Sequence, residues 1–139
     1  MAILILTNAY VSVNGVDLSN HVKTVSIKTT DDQVEITAMG ATAKAYAKGL
    51  GDANITVEFF QDFAAASVDA TLFPLKASST PFTVGVRPVN GARSVTNPEY
   101  QITALLFGYD PVDGAVGAAS STSVTFANAS QTGMSRLTA

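Results

Sequence analysis

The 139 residues fit one domain, and a chain of about 150 residues buries roughly 68–70% of its unfolded surface, so a core forms without staples. Zero cysteine excludes disulfides, thiolate chemistry and Cys-based zinc sites together. A net charge of −3, with the eight Lys and Arg scattered, excludes the basic stripe a nucleic-acid binder needs to neutralise phosphates. Charged residues make up only 14%, against the usual quarter, while Ser and Thr together number 28. Such a surface of hydroxyls, Ala and Gly suits a subunit that hides much of itself against copies of itself.

The N-terminal Ala2-Ile-Leu-Ile-Leu6 is too short to span a membrane and lacks the basic flank and length of a secretory signal. It is expected to be a strand or an arm against a neighbour, in a protein assembled in the cytoplasm. Tyr10 to Val13 reads as a strand, and Asn14-Gly15 as a two-residue hairpin turn, because both residues tolerate positive φ. Val16 to Leu18 returns and Ser19-Asn20 breaks it. Val22 to Thr30 alternates, with Val25 and Ile27 opposite Lys28. Asp31-Asp32 marks a turn, and Gln33 to Thr37 a further strand.

Residues 38–53 carry three Gly, six Ala and no clear period, so a long loop is expected there, with Thr42 to Lys48 as a turn of helix at most. A segment of this kind suits an arm that orders against a neighbouring subunit. Asn54 to Phe60 alternates again. Asp62 then caps a helix over 62–73, on which Phe63, Ala66, Ala70 and Phe73 share a face expected to pack on a sheet. Pro74 stops it. Pro81 to Pro88 is a strand with Phe82, Val84 and Val86 in phase. Asn90-Gly91 and Asn97-Pro98 bracket a loop before a long strand, Glu99 to Tyr109, apolar on both faces toward its end. Asp110 to Gly114 is a turn, Ser121 to Ala127 the last strand, and 128–139 a flexible tail. The whole is a mainly β chain: an antiparallel β-sandwich or partly open barrel flanked by one short α-helix.

Chemistry is sparse. His21 is the only histidine, and no neighbouring Ser and Asp single out a nucleophile. Asp31 and Asp32 point to opposite faces if extended, so turn chemistry accounts for them better than metal ligation. Asp110 and Asp113 lack the twelve-residue calcium-loop pattern, and Gly49-Leu-Gly51 lacks the third glycine of a dinucleotide loop. The sequons at Asn54 and Asn128 stand without a secretory signal. Lys44 and Lys48 read as solvated. No catalytic, cofactor-binding or metal-ligating residue is assigned, and the chain is expected not to be an enzyme.

The order and spacing of Tyr10-Val-Ser-Val-Asn-Gly-Val-Asp-Leu-Ser19, Thr37-Ala-Met-Gly40, Gly49-Leu50, Val57-Glu-Phe-Phe-Gln-Asp-Phe63 and Val68-Asp-Ala-Thr-Leu-Phe-Pro74 resemble the tail tube (major tail) proteins of long-tailed bacteriophages, over about residues 9 to 127. The resemblance implies a structural virion protein. Its rings, typically hexamers, stack into the tube through which the genome leaves the head, and the loop at 38–53 bridges subunits. It implies tape measure, tail tip and tail terminator proteins as partners, and no membrane. An acidic subunit implies an acidic lumen, for which Asp31, Asp32, Glu35 and Glu58 are the candidate lining residues. The competing readings are a ligand- or carbohydrate-binding β-sandwich, disfavoured by the absence of Trp and the siting of most Phe on core faces or the helix, and another virion subunit such as a decoration or tail-completion protein.

Overall fold

The computed structural model describes residues 3–139; Ala2, in the expected N-terminal arm, lies outside them. Eight strands run in chain order: β1 Tyr10–Val13, β2 Val16–Asp17, β3 Val22–Glu35, β4 Tyr46–Phe60, β5 Phe82–Arg87, β6 Glu99–Leu106, β7 Ser121–Asn128 and β8 Ser135–Leu137. One helix, α1 Val68–Ala77, separates β4 from β5. The expected mainly β antiparallel fold with one short helix is what the chain adopts. All strands join a single sheet in the order β2-β1-β5-β6-β7-β4-β3, with β8 paired to β6, and the ends of that order do not close.

The alternation of the sequence decides which face is buried. Val11 and Val13, Ile55, Val57 and Phe59, Val84, Ala104, Val124 and Phe126 are all withdrawn from water on one side of the sheet. Each large apolar side chain so buried contributes about 1.5–3 kcal/mol. One helix of ten residues cannot cover such a face, so the sheet curls over it. Val25 and Ile27 of β3, at one end of the strand order, line a common groove with Val86 of β5 and Tyr100 of β6. Phe82 and Phe126, on the strands flanking β6, meet edge to face with ring centroids 5.9 Å apart. Between them β6 carries Ala104, and its methyl leaves the rings room.

The β1–β2 turn forms as its residues dictate: Asn14 has φ 51° and Gly15 φ 81°, the left-handed pair of a type I′ turn. Three other expectations are corrected. Asp31-Asp32 is no turn, because β3 runs unbroken to Glu35. The loop of 38–53 shrinks to 36–45, because β4 already begins at Tyr46. Part of the tail at 128–139 is strand, with Ser135 and Leu137 opposite Gln101 and Glu99.

The helix is also displaced. It spans Val68–Ala77 rather than 62–73, and Pro74 lies inside it. Val68, Thr71, Leu72 and Leu75 form the buried stripe, at helical spacing but on the face opposite the expected one. Phe63 and Phe73 are 62% and 58% exposed. Proline removes the bond to the carbonyl four residues earlier. That carbonyl belongs to Ala70 on the exposed side, where it is open to solvent and need not go unsatisfied, so the helix tolerates its proline.

Candidate assembly surface

The only histidine does meet a serine and an aspartate. His21 Nε2 lies 2.8 Å from Asp62 Oδ2 and 3.2 Å from Ser67 Oγ. A hydrolytic triad puts carboxylate and hydroxyl on opposite ring nitrogens. Here both share Nε2, while Nδ1 is buried with no partner, and Ser67 is buried. The cluster is therefore a tie, fastening the residues before β3 to those before α1. Asp62 also accepts the Ala64 N–H (2.9 Å), and this bond, followed by those from Ser67 and His21, holds its carboxyl below the usual carboxylate range. Sequence reading missed the trio because its members lie 41 and 46 residues apart.

Two further clusters secure the two ends of the sheet. Tyr109 donates to Asp69 Oδ1 (2.8 Å) and accepts from Gln61 Nε2 (3.0 Å), joining the segment after β6 to the start of α1. Burial pushes the Tyr109 hydroxyl up to about 12 against the hydrogen bond from Gln61, and the Asp69 carboxylate adds to the rise. At the other end Glu99, 3% exposed, holds Arg87 Nε at 2.7 Å and Arg93 at 3.7 Å, and accepts from Gln101. Gly85 makes room for it: a Cβ there would stand 3.1 Å from the Glu99 carboxylate. No sequence pattern marked Glu99, since a carboxylate at a strand start is ordinarily solvated. Among the described residues no three His, Cys, Asp or Glu come together as metal ligands, and no helix is long and apolar enough to cross a membrane.

The feature left without a partner is the far half of the β3–β4 hairpin. β4 is paired with β7 only from Asn54 onward, opposite Ala127. Tyr46 to Ala53 therefore have β3 alone, through Glu35↔Tyr46, Gln33↔Lys48 and Asp31↔Gly51. Every residue from Thr29 to Asp52 is exposed. This two-stranded arm shows Val34, Ile36, Met39, Tyr46 and Leu50 to solvent, Leu50 at 83%. An isolated two-stranded ribbon is marginal at best in water. Its tip is closed by Ile36 N–H to Ala45 C=O (2.9 Å) and Ala45 N–H to Thr37 Oγ1 (2.9 Å).

The glycines singled out in the sequence belong to this arm. Register slips by one residue between Asp31 and Gln33, a bulge on β4. A Cβ on Gly49 would meet Asp32 Cβ at 2.9 Å, and one on Gly51 would meet Asp31 Oδ1 at 2.7 Å. Gly49-Leu-Gly51 is thus a bulge that lets two strands close on each other. The four candidate carboxylates do not converge: Asp31, Asp32 and Glu35 lie on the arm, where Lys48 reaches Asp31 (3.5 Å), while Glu58 lies in the sheet beside Lys23 (3.2 Å). Alongside the arm, β3 offers a long unpaired edge, a template for another strand.

No family model and no curated protein matches the chain by sequence. Solved structures do. A chain of the virion of a native gene transfer agent particle is similar with TM-score 0.71 at 12% identity, over 93% of this chain and 95% of that one. A chain of the tail of an empty gene transfer agent particle, with C6 symmetry, gives TM-score 0.70 at 14% identity, over 95% of each. The chain has the tail tube fold. A chain of the PVC sheath-tube complex of an extracellular contractile injection system, in its extended state, agrees with TM-score 0.69 at 14% identity, over 98% of this chain and 92% of that one. Nearly the whole length of the chain is covered by these likenesses.

Proposed function

We propose that this chain is a structural tail tube subunit, without enzymatic activity, that assembles into stacked rings of six and belongs to the tail of a virion. The observation that carries the reading is its likeness, over 95% of both chains, to a subunit of a tail with C6 symmetry. The arm and the open edge of β3 support it, because both leave apolar side chains and strand edges that a monomer has no use for. Contacts with the proteins that start and end such a tube follow from the same reading, and the likeness to a sheath/tube terminator complex supports them. The tube then serves as the channel for the genome. Negative-stain microscopy of the purified protein tests this directly. Rings or hollow tubes are expected, either at once or after nucleation. A monomer that never assembles, and instead binds a glycan tightly, would overturn the reading in favour of a binding module.

A further inference from the structure

Two exposed apolar segments stand at opposite ends of the sheet. The first is the tip of the arm, residues 36–45, all open to solvent. Its apex is a type II turn: the Ala41 N–H donates to the Ala38 carbonyl (3.3 Å), Gly40 has φ 86°, and Met39 projects fully exposed. Ile36 is exposed beside it, and Lys44 is the only charge of the tip. The arm's carboxylates, Asp31, Asp32, Glu35 and Asp52, stand on its strands behind the tip. The second segment is the loop 107–120 between β6 and β7. It exposes Phe107, Val112 and Val116, and its only charges are Asp110 and Asp113. Among the described residues Lys44, Asp110 and Asp113 have no ionic partner. Unlike the arm, this loop is fastened. Gln61 donates from Nε2 to the Pro111 carbonyl (2.7 Å) and from its N–H to that of Ser120 (2.9 Å). The Asp113 carbonyl accepts from Ser120 Oγ (3.0 Å) and from the Ser121 N–H (3.3 Å).

Resting on the tail tube reading, we propose that the loop 107–120 receives the arm tip of a second copy, with Met39 and Ile36 against Val112 and Val116, and Lys44 beside Asp110 and Asp113. An arm cannot serve its own loop. β4 and β7 pair from Asn54↔Ala127 to Phe60↔Ser121; the arm leaves past the first of these pairs and the loop enters β7 at the last. At about 3.3 Å per residue, roughly 20 Å of strand separates them, and the arm points away. Charge selects the occupant: the loop has two carboxylates and no cation, the tip one cation and no carboxylate. Methionine is unbranched and moulds itself to an irregular apolar surface, and a fastened loop gives it a pre-organised one. The contact is heterologous. A copy that gives its arm keeps its loop free, so addition continues instead of stopping at a dimer.

Charge exchange tests the pairing. Lys44→Glu should raise the protein concentration needed for tube growth at least about fivefold, and combining it with Asp110→Lys and Asp113→Lys should bring that concentration back to within about twofold. Unchanged growth of Lys44→Glu, or no recovery in the exchanged chain, overturns the proposal. The absence of native cysteine supplies a second measurement. Tubes of the Ala43→Cys, Val112→Cys chain, oxidised with diamide, should give a disulfide-linked ladder longer than a dimer on a non-reducing gel. The control Ala43→Cys, Val95→Cys, whose second cysteine sits on the loop before β6 at the arm's own end, should give none. Intact tubes without a ladder from the first chain overturn the proposal and leave the tube reading standing; absence of tubes from the unsubstituted chain overturns both. Val112→Asp tubes that grow at the unsubstituted concentration would assign the loop to solvent or to another tail protein, and would also overturn it.

Discussion

Strand β4 is two different structures end to end. From Asn54 to Phe59 it is bonded on both edges, by β3 and β7, and every second side chain is buried. From Tyr46 to Asp52 it is bonded on one edge, exposed on both faces, and bent by a bulge at Gly49. Both halves belong to one extended strand; what changes most is the number of neighbours. A seated strand draws its stability from burial, whereas the arm has only its ladder of hydrogen bonds, each worth about 0.5–1.5 kcal/mol net, against the entropy of ordering it. On the proposed tail tube reading, its remaining stabilisation comes from another subunit.

The contrast can be broken by mutation. Phe59→Ala, in the seated half, should cost about 3–5 kcal/mol in urea unfolding of the monomer, while Leu50→Ala in the arm should stay within about 0.5 kcal/mol and instead impair assembly. Equal losses would mean that the arm packs on its own subunit. The helix offers the same comparison between neighbouring residues: Leu72→Ala should cost about 2–5 kcal/mol and Phe73→Ala little, measured by the same unfolding midpoint. A large loss at Phe73 would restore the helix phase expected from sequence. Gly49→Ala should cost about 1–3 kcal/mol through the clash with Asp32, confined to the arm and read as weaker amide protection at Gln33 and Lys48 in the assembled tube, without a shift in global unfolding of the monomer.

The smallest effect concerns pH. Tyr109 is held neutral in the folded state, with its pKa raised to about 12 from an ordinary 10. Its contribution is therefore complete below pH 10 and is lost as pH rises toward 12. Thermal unfolding across that window should fall more steeply for the native chain than for Tyr109→Phe. Parallel curves would show that the hydroxyl does not feel its burial.

Much of the sheet was legible because burial on one face imposes a period of two. Ile55, Val57 and Phe59, Phe82, Val84 and Val86, and Val124 and Phe126 are buried as their alternation predicts. The arm was not legible as strand, because residues exposed on both faces have no alternation to display, and Gly49 and Gly51 look like loop chemistry until their partners Asp32 and Asp31 are seen. The helix was misphased because Phe63 and Phe73 mimic a buried stripe, while Val68, Leu72 and Leu75, which make the real one, straddle the proline expected to end it. Strand Glu99 to Tyr109 was read as covered on both faces, yet it ends at Leu106 and Phe107 is exposed. The tie among His21, Asp62 and Ser67 and the buried Glu99 were invisible for a simpler reason: their partners are distant in sequence or ordinary in type.

Hydrogen exchange, compared between monomer and assembled tube, tests the central claim most directly. Amides of Tyr46 to Asp52 should exchange fast in the monomer, despite their pairing with β3, and become strongly protected in the tube, while Ile55 to Phe59 stay protected in both. Strong protection of Tyr46 to Asp52 in the monomer, unchanged on assembly, would contradict the account: the arm would then be a stable part of its own subunit with no role in holding one copy to the next.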